Sequence, residues 1–377
     1  MADLRRADVD SSLIEEIKGR EGGSMSRLHT LALTDRSALL AILRSYGIAT
    51  VGRRMQLAGL LKRQATTIPI VYLHCGNQPY VECAIRVTLG LQDAPIFLLG
   101  DESMASLGRL PRVTFVNLSR FRADASILKL RRHYVHHSSN PESYEWFCFE
   151  RVLILGRFMR EWGLQRIFHL DSDCVLLKPL SEYPLTLHTG LINNDFYHLL
   201  GFSSVPSASI HAAVLDVDFC DIFERLIGDV YVKRENGPIW ALLYDARRRL
   251  EGGGAGGVSD MSFYFMMQKR DDEWKQKTLG LVRTSNLGAV VETAGGPATF
   301  MNNIGTGEGP DGQEQFVVDT RTRLMKIECR QGKHVVYDRI HERWVELFCA
   351  HFSGSAKYCL SREWLEQHLL LPDGVWS

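Results

Sequence analysis

The stretch RIFHLDSD, residues 166–173, decides the fold because an apolar strand runs directly into two carboxylates. Asp171 and Asp173 stand two positions apart at the carboxyl end of that strand. Both side chains can reach one divalent cation, since hard cations take oxygen ligands, and such an ion can also hold a diphosphate. The pattern therefore predicts a metal site at the end of a buried strand.

The surrounding sequence predicts strands that alternate with helices. Strands are predicted at 68–74, 95–99, 113–118 and 166–170, and helices at 81–91 and 143–162. This order and spacing are typical of βαβ units and a parallel sheet. Residues 67–377 are therefore expected to form one α/β domain, with ligands collecting at the carboxyl ends of its strands.

Residues 1–66 are expected to form a separate, small all-α module. Apolar positions recur at helical spacing in 37–45 and 51–63, and a break at 46–50 separates the two segments. The stretch 33–63 resembles the C-terminal half of a sterile alpha motif, which implies a protein partner for this module. The alternative is a generic helical extension that packs on the core.

The composition excludes several classes of function. The chain has 377 residues with 44 basic and 44 acidic side chains, so nothing indicates nucleic acid or an acidic membrane surface. Eight cysteines are scattered without a Cys-x-x-Cys pair, which argues against a dedicated zinc site. The sequence contains neither a signal-peptide pattern nor an apolar run long enough to span a membrane, so the default expectation is a cytoplasmic protein.

A second motif, HFSGSAK at residues 351–357, also follows an apolar strand. Histidine is a good transition-metal ligand, Gly354 allows close backbone approach, and Lys357 supplies a cation on a flexible stem. Together with two carboxylates, these side chains can hold an ion and neutralise a diphosphate. The alternative for His351 is a structural histidine whose ring is satisfied inside the protein.

An apolar strand leading into Asp-x-Asp, with a later His-x-x-Gly-x-x-Lys, resembles nucleotide-sugar glycosyltransferases of the glycosyltransferase-A fold. The retaining branch that includes galactosyltransferases and glycogenin carries both motifs. Over roughly residues 68–360, the resemblance implies a Rossmann-like mixed sheet flanked by helices, a UDP-sugar donor, and a carbohydrate or protein acceptor. It also implies Mn²⁺ or Mg²⁺ held by Asp171, Asp173 and His351, with Asp171 near the donor ribose and Lys357 on the donor phosphates.

The resemblance implies further donor-binding residues at the ends of earlier elements. The candidates are His74, Gly76, Asn77, Gln78, Asp101 and Arg151. The first four lie in the turn after the first strand, where such folds hold the nucleotide base, and the alternative is an ordinary polar turn. Asp101 is either a ribose contact or a helix cap. Arg151 either reaches the donor sugar or phosphate, or is a surface charge on the helix.

Asp260 is the candidate catalytic carboxylate. It lies at the start of a predicted helix at 259–269, after the glycine-rich segment 252–257, which is expected to be a mobile loop that closes over the donor. In the resembled fold a carboxylate in this position faces the transferred sugar. It would act as general base in an inverting reaction, or would stabilise charge in a retaining one. The alternative is that Ser259 and Asp260 simply cap the helix.

Other polar residues are weaker candidates. Asp216 and Asp218 also follow an apolar run, but they lead directly into a predicted helix at 219–227, where acidic side chains favour the helix dipole. The pair is therefore interpreted as structural. Asn302 and Asn303 are possible acceptor-side residues.

The sequence departs from the retaining branch in two ways, which leaves the stereochemistry open. The Asp-Gln-Asp loop of that branch is absent, and Tyr358 follows Lys357 where the branch has a proline. One alternative function is a nucleotidyltransferase, which would normally have a glycine-rich basic loop after the first strand, unlike residues 74–77. The other is a catalytically inactive binding protein with a glycosyltransferase fold.

Overall fold

A computed structural model of the chain describes most of the unit Ile68–Ser377. The described residues are 68–182, 192–193, 208–235, 248, 251–252, 257–270, 282–283, 290–293, 296–299, 302–303, 316–317, 319, 324–339, 342–352, 354–372 and 374–376. The helical module expected at 1–66 lies outside them and stays a prediction. Most of the glycine-rich segment 252–257 lies outside them as well.

The predicted elements of the core occur in the predicted order, as β1, α1, β2, β3, α4 and β4, and the described residues contain further strands and helices. The strands are β1 (Ile70–His74), β2 (Ile96–Gly100), β3 (Val113–Asn117), β4 (Arg166–Leu170), β5 (Cys174–Leu176), β6 (Ile192–Asn193), β7 (Ala208–Ser209), β8 (Ala212–Asp216), β9 (Val282–Arg283), β10 (Val290–Thr293), β11 (Gly296–Thr299), β12 (Asn302–Asn303), β13 (Glu328–Arg330), β14 (Lys333–Asp338), β15 (Arg343–Leu347) and β16 (Cys349–His351). The α-helices are α1 (Pro79–Leu91), α2 (Ser119–Arg122), α3 (Ala125–His133), α4 (Glu142–Trp162), α5 (Val217–Ile227), α6 (Asp260–Arg270) and α7 (Arg362–His368). Short 3-10 helices cover Glu102–Arg109, Leu180–Glu182 and Gly354–Cys359, and a π-helix covers Gly228–Lys233.

The central sheet has the strand order β3-β2-β1-β4-β8. Its first four strands are parallel, and β8 pairs with β4 in the antiparallel sense. The predicted class, a mixed and mainly parallel sheet with helices, is therefore confirmed. The chain moves outward from β1 to β3 and then returns to the other side of β1 with β4. In open α/β sheets, ligands bind outside the carboxyl ends of the strands where the winding direction reverses in this way.

The central strands form because their residues are apolar on both faces. Ile70, Val71 and Tyr72 in β1 are fully buried, and so are Ile96 and Phe97 in β2. Successive residues of a strand point to opposite faces, so burial of consecutive residues means that both faces of the sheet are covered. Such a sheet leaves its strand ends as the places where polar side chains can reach solvent.

Helix α4 leads into the strand that carries the acidic motif. The helix ends at Gly163, whose φ of 64° is the left-handed conformation typical of a helix C-terminus. Its buried side includes Phe149, Val152 and Phe158. The helix therefore has a fixed position against the core, and its arginines reach fixed partners.

A small sheet joins the two sequence motifs. The order β12-β16-β5 sets β16 antiparallel to β5, with His351 directly opposite Cys174. The backbone of Phe352 donates to the carbonyl of Asp173 at 2.8 Å. Strands β14 and β15 belong to a separate five-stranded sheet. None of the helices in the described ranges combines the length and apolar character that a bilayer crossing needs.

Candidate active site

The carboxyl ends of β1 and β4 meet at the reversal point of the central sheet. His74 ends β1, and Ser172 lies between the two acidic residues that follow β4. The hydroxyl of Ser172 lies 2.7 Å from Nδ1 of His74, while Nε2 of His74 contacts the side chain of Gln78. Burial lowers the pKa of His74, so its ring is neutral near pH 7. The predicted turn and the acidic motif are therefore in direct contact.

The turn after β1 is shaped by Gly76 and Asp101. Gly76 has a φ of 91°, which a residue with a side chain rarely adopts, and its amide donates to Asp101 at 2.6 Å. The other carboxylate oxygen of Asp101 accepts from the amide of Ser103 at 3.0 Å and caps the following 3-10 helix. Asp101 therefore caps the 3-10 helix and also accepts a hydrogen bond from the turn after β1. A contact between Asp101 and the donor ribose stays a prediction. Asn77 is exposed beside this turn.

Asp171 is held by two basic side chains. Arg151 Nη1 donates to Asp171 Oδ1 at 2.6 Å, and His169 Nε2 lies 3.0 Å from the same oxygen. The other ring nitrogen of His169 lies 3.2 Å from the carbonyl of Val71 in β1. Burial opposes ionisation of Asp171, but Arg151 and His169 outweigh it and hold its pKa well below the usual range. Its role as a metal ligand stays a prediction.

Asp173 faces the second motif. Lys357 Nζ donates to Asp173 Oδ2 at 2.9 Å, and His351 Nε2 lies 3.5 Å from Asp173 Oδ1. Burial would raise the pKa of Asp173, but His351 and then Lys357 lower it to about 2. The same ion pair raises the pKa of Lys357 against the effect of its own burial. The predicted carboxylate, histidine and lysine therefore lie together, and the first is ionised at neutral pH.

A possible set of metal ligands is already assembled at this point. Asp173, Cys174 and His351 each offer one ligand atom, and these atoms lie within 4.8 Å of one another. Carboxylate and imidazole ligands suit a divalent cation, so the chemistry of the donor set fits the ion that the sequence predicts.

Asp260 reaches the acidic motif through Arg151. Arg151 Nη2 donates to Asp260 Oδ2 at 2.9 Å, so one guanidinium bridges the carboxylates of Asp171 and Asp260. The hydroxyl of Tyr264, one helical turn further along α6, donates to the same oxygen at 2.9 Å. Asp260 is only 3% exposed. Asp260 lies in the first turn of α6, which agrees with a helix-capping role. It also contacts Arg151, the side chain that binds Asp171, which agrees with a role in the site.

Residues that were not sequence candidates also contact the site, among them Tyr264, His169 and His211. Tyr264 follows Asp260 by four positions, which is the helical spacing for contact and would have been a usable signal. His169 carries a polar ring inside an apolar strand, which is a second such signal. The ring of His211 stacks on that of His351 with centroids 4.3 Å apart, and burial followed by His351 holds its pKa well below the usual range. That contact depends on the tertiary fold and leaves no trace in the sequence.

The remaining candidates are Asp216, which caps a helix, and the asparagines of β12. Asp216 accepts from the amide of Phe219 at 2.8 Å and caps α5, which agrees with its structural interpretation. In β12, the backbone of Asn303 pairs with His351 and that of Asn302 with Ala350. The segment that carries both asparagines therefore runs beside the second motif.

Comparisons with known proteins give a limited likeness. No protein-family model matches the sequence, and no curated protein matches it significantly. Solved structures with a related fold include mouse xyloside xylosyltransferase 1 in its apo form, at 14% identity and a TM-score of 0.37 over 55% of this chain and 83% of that one. The PaToxG glycosyltransferase gives 8% identity and a TM-score of 0.34 over 60% and 81%. The glycosyltransferase GlyE of Streptococcus pneumoniae gives 13% and 0.29 over 55% and 46%. With TM-scores this low, the functional argument rests on the residues of the site.

Proposed function

We propose that this chain is a metal-dependent glycosyltransferase that moves a sugar from a nucleotide-sugar donor, a UDP-sugar, to an acceptor hydroxyl. The observation that carries the proposal is the convergence of Asp171, Asp173, His351 and Lys357 where the winding of the central sheet reverses. Anionic nucleotides bind at this position in open α/β sheets. Two carboxylates, an imidazole and an ammonium are the groups that an ion-bound diphosphate requires.

In this proposal, Asp173 and His351 hold the metal, with Asp171 beside them. A bound Mn²⁺ or Mg²⁺ would supply Lewis-acid stabilisation of the leaving diphosphate. Lys357 is paired with Asp173 in the structure. A cation bound to Asp173 would take the place of Lys357 as the partner of that carboxylate. The ammonium of Lys357 could then donate to a phosphate oxygen. Tyr80, whose ring centroid lies 5.9 Å from Lys357 Nζ, keeps that ammonium near the turn after β1.

The sugar side of the site is assigned to Asp260 and Arg151. Arg151 and Tyr264 both donate to Oδ2 of Asp260, which fixes the direction of the carboxylate relative to the acidic motif. Asp260 would face the transferred sugar or the acceptor hydroxyl, as base or as electrostatic stabiliser. Arg151 would hold Asp171 and Asp260 at a constant distance from each other.

The nucleoside side is assigned to the turn after β1. His74, Gly76, Asn77 and Asp101 would contact the base and ribose, since the turn touches the acidic motif through Ser172. The acceptor is a carbohydrate or a protein hydroxyl, and the module at 1–66 is proposed to recruit a protein partner.

Calorimetric titration of UDP in Mn²⁺, and then in EDTA, tests this proposal directly. We expect binding in Mn²⁺ and its loss in EDTA. Asp173→Asn should remove the metal-dependent part, while Asp216→Asn, which alters an acidic cap outside the site, should not. UDP binding of equal strength with and without the ion would contradict the metal role. Binding of GDP in place of UDP would correct only the nucleotide. Release of UDP from a UDP-sugar would then separate an active transferase from an inactive binding protein.

A further inference from the structure

A thiol lies beside the carboxylate and the imidazole of the candidate metal site. Cys174 follows Asp173 directly and begins β5, where the antiparallel register sets it opposite His351. Side chains directly opposite in such a pair lie on the same face of the sheet, close enough to bind one cation together. The three potential ligand atoms of Asp173, Cys174 and His351 are within 4.8 Å of one another.

This combination of ligands is chemically different from one made of oxygens alone. Mn²⁺ and Mg²⁺ prefer carboxylate, carbonyl and water ligands, whereas thiolate favours softer cations. Carboxylate, imidazole and thiolate are together the protein ligands of zinc, and three of them leave a fourth position open. A soft cation can therefore use a side chain here that a hard cation leaves aside.

We propose that Asp173, Cys174 and His351 form a site for a thiophilic divalent cation, Zn²⁺ or Cd²⁺, which competes there with the hard cation. The competition with a hard cation rests on the proposed function, but the thiophilic site itself does not. On binding, the S–H bond of Cys174 breaks, its sulfur bonds the cation, and the proton leaves to solvent. The cation also replaces Lys357 as the partner of Asp173.

The charges of the ligand set suit a divalent cation. Cys174 and Cys349 are both fully buried on the paired strands β5 and β16. A carboxylate and a thiolate together balance the charge of a divalent cation, which matters for an ion bound away from water.

Titration with Cd²⁺ alone, in the absence of nucleotide, tests the site. The readouts are the ultraviolet absorption band of thiolate-to-cadmium charge transfer and the calorimetric affinity. We expect the wild type to bind one tight equivalent with this band. Cys174→Ser should remove the band at that equivalent and lower the selectivity for Cd²⁺ over Mn²⁺ by about tenfold or more. Cys329→Ser, which changes an exposed cysteine on β13, is the matched control and should behave like the wild type.

A second variant keeps the test decisive if Cys174→Ser does not fold. His351→Gln retains the thiol but removes the imidazole, so it should weaken Cd²⁺ binding about tenfold or more while the sulfur band persists at saturation. Wild-type Cd²⁺ affinity and band in a folded Cys174→Ser protein would overturn the inference, as would wild-type Cd²⁺ affinity in His351→Gln. A Cys174-dependent band in a protein that fails to bind UDP in Mn²⁺ would support the thiophilic site and reject the proposed function.

Discussion

Two arginines on one helix make a natural comparison. Arg151 and Arg157 lie six residues apart on α4, and each bridges two carboxylates from different parts of the chain. Arg157 binds Asp124 and Glu224 and is 21% exposed, while Arg151 binds Asp171 and Asp260 and is 12% exposed. The two clusters use the same kinds of side chain, so the difference between them lies in what their partners do.

The partners of Arg157 are structural. Asp124 also accepts from the amides of Ser126 and Ile127 and caps α3, while Glu224 belongs to α5. Nε, Nη1 and Nη2 of Arg157 all donate to acceptors, so the cluster ties three helices together with its hydrogen bonds complete. We call Arg157, Asp124 and Glu224 the helix clamp.

The partners of Arg151 lie at the carboxyl edge of the sheet. Asp171 follows β4 and Asp260 begins α6, and Nε of Arg151 is buried without a hydrogen-bond partner among the described residues. A buried donor left without an acceptor is costly and uncommon, and such costs are typical of functional sites. We call Arg151, Asp171 and Asp260 the site bridge. The two clusters therefore differ in their hydrogen bonding: every guanidinium nitrogen of Arg157 has an acceptor, whereas Nε of Arg151 has none among the described residues.

The largest expected effect comes from the acidic residue beside the site bridge. Asp173→Asn removes one charge next to His351 and Lys357, so metal-dependent UDP binding should fall by about 100-fold or more, or roughly 3 kcal/mol. Calorimetry of UDP in Mn²⁺ measures it. Asp124→Asn, the equivalent change in the helix clamp, should keep wild-type UDP affinity at a temperature where it is folded. Equal losses in both variants would mean that the Asp173 effect is one of folding.

The next effect tests the site bridge itself. Arg151→Lys keeps the charge but cannot contact two carboxylates with a planar fork, so release of UDP from UDP-sugars in Mn²⁺ should slow by about 10- to 100-fold. The midpoint temperature of thermal unfolding should stay close to that of the wild type. An unaltered rate in a folded Arg151→Lys protein would show that the bridge does not position the site.

The sequence predicted the parallel core and the position of the two acidic residues at a strand end, because both depend on local patterns. Buried parallel strands read as apolar runs, and Asp171 and Asp173 come directly after one such run. The meeting of Asp173 with His351 and Lys357 was available only through the resemblance to a family, since 178 positions separate Asp173 from His351 and pairing of β5 with β16 brings them together. The bond between Arg151 and Asp260 joins positions 109 apart and has no local signal. Long-range packing, rather than propensity, therefore determined what could not be predicted.

The helix clamp should show the reverse behaviour to the site bridge. Arg157→Met removes the bonds that tie α3, α4 and α5, leaving two carboxylates without their cation, and should lower the free energy of unfolding by about 2 kcal/mol. Urea unfolding measures the loss. UDP affinity per folded molecule should stay at the wild-type value, and a selective loss of UDP binding at full stability would contradict the distinction between the two clusters.

The helix clamp also has an expected pH dependence. Although burial opposes it, Ser126 and then Arg157 lower the pKa of Asp124 to about 2 in the folded protein, while the unfolded value is close to 4. Because the folded pKa is the lower one, this stability is present above about pH 4 and is lost as the pH falls towards 2. The difference in unfolding free energy between wild type and Asp124→Asn should therefore shrink between pH 5 and pH 3, by about 1 kcal/mol after solvent screening. A difference that stays constant over this range would contradict the ionised state of Asp124.

The smallest effect concerns the second donor to Asp260. Burial raises the pKa of Tyr264 well above its usual range, so its hydroxyl remains a donor at any working pH. Tyr264→Phe removes one hydrogen bond to Oδ2 while Arg151 still holds that oxygen, so the rate of UDP release should fall only several-fold, by about 1 kcal/mol. Tyr72→Phe serves as the comparison variant, because the hydroxyl of Tyr72 is also buried and lies 2.6 Å from the hydroxyl of Thr88. It should cost stability without changing the rate. If both variants lower stability and neither lowers the rate, Tyr264 belongs with the structural residues, and Arg151 alone orients Asp260.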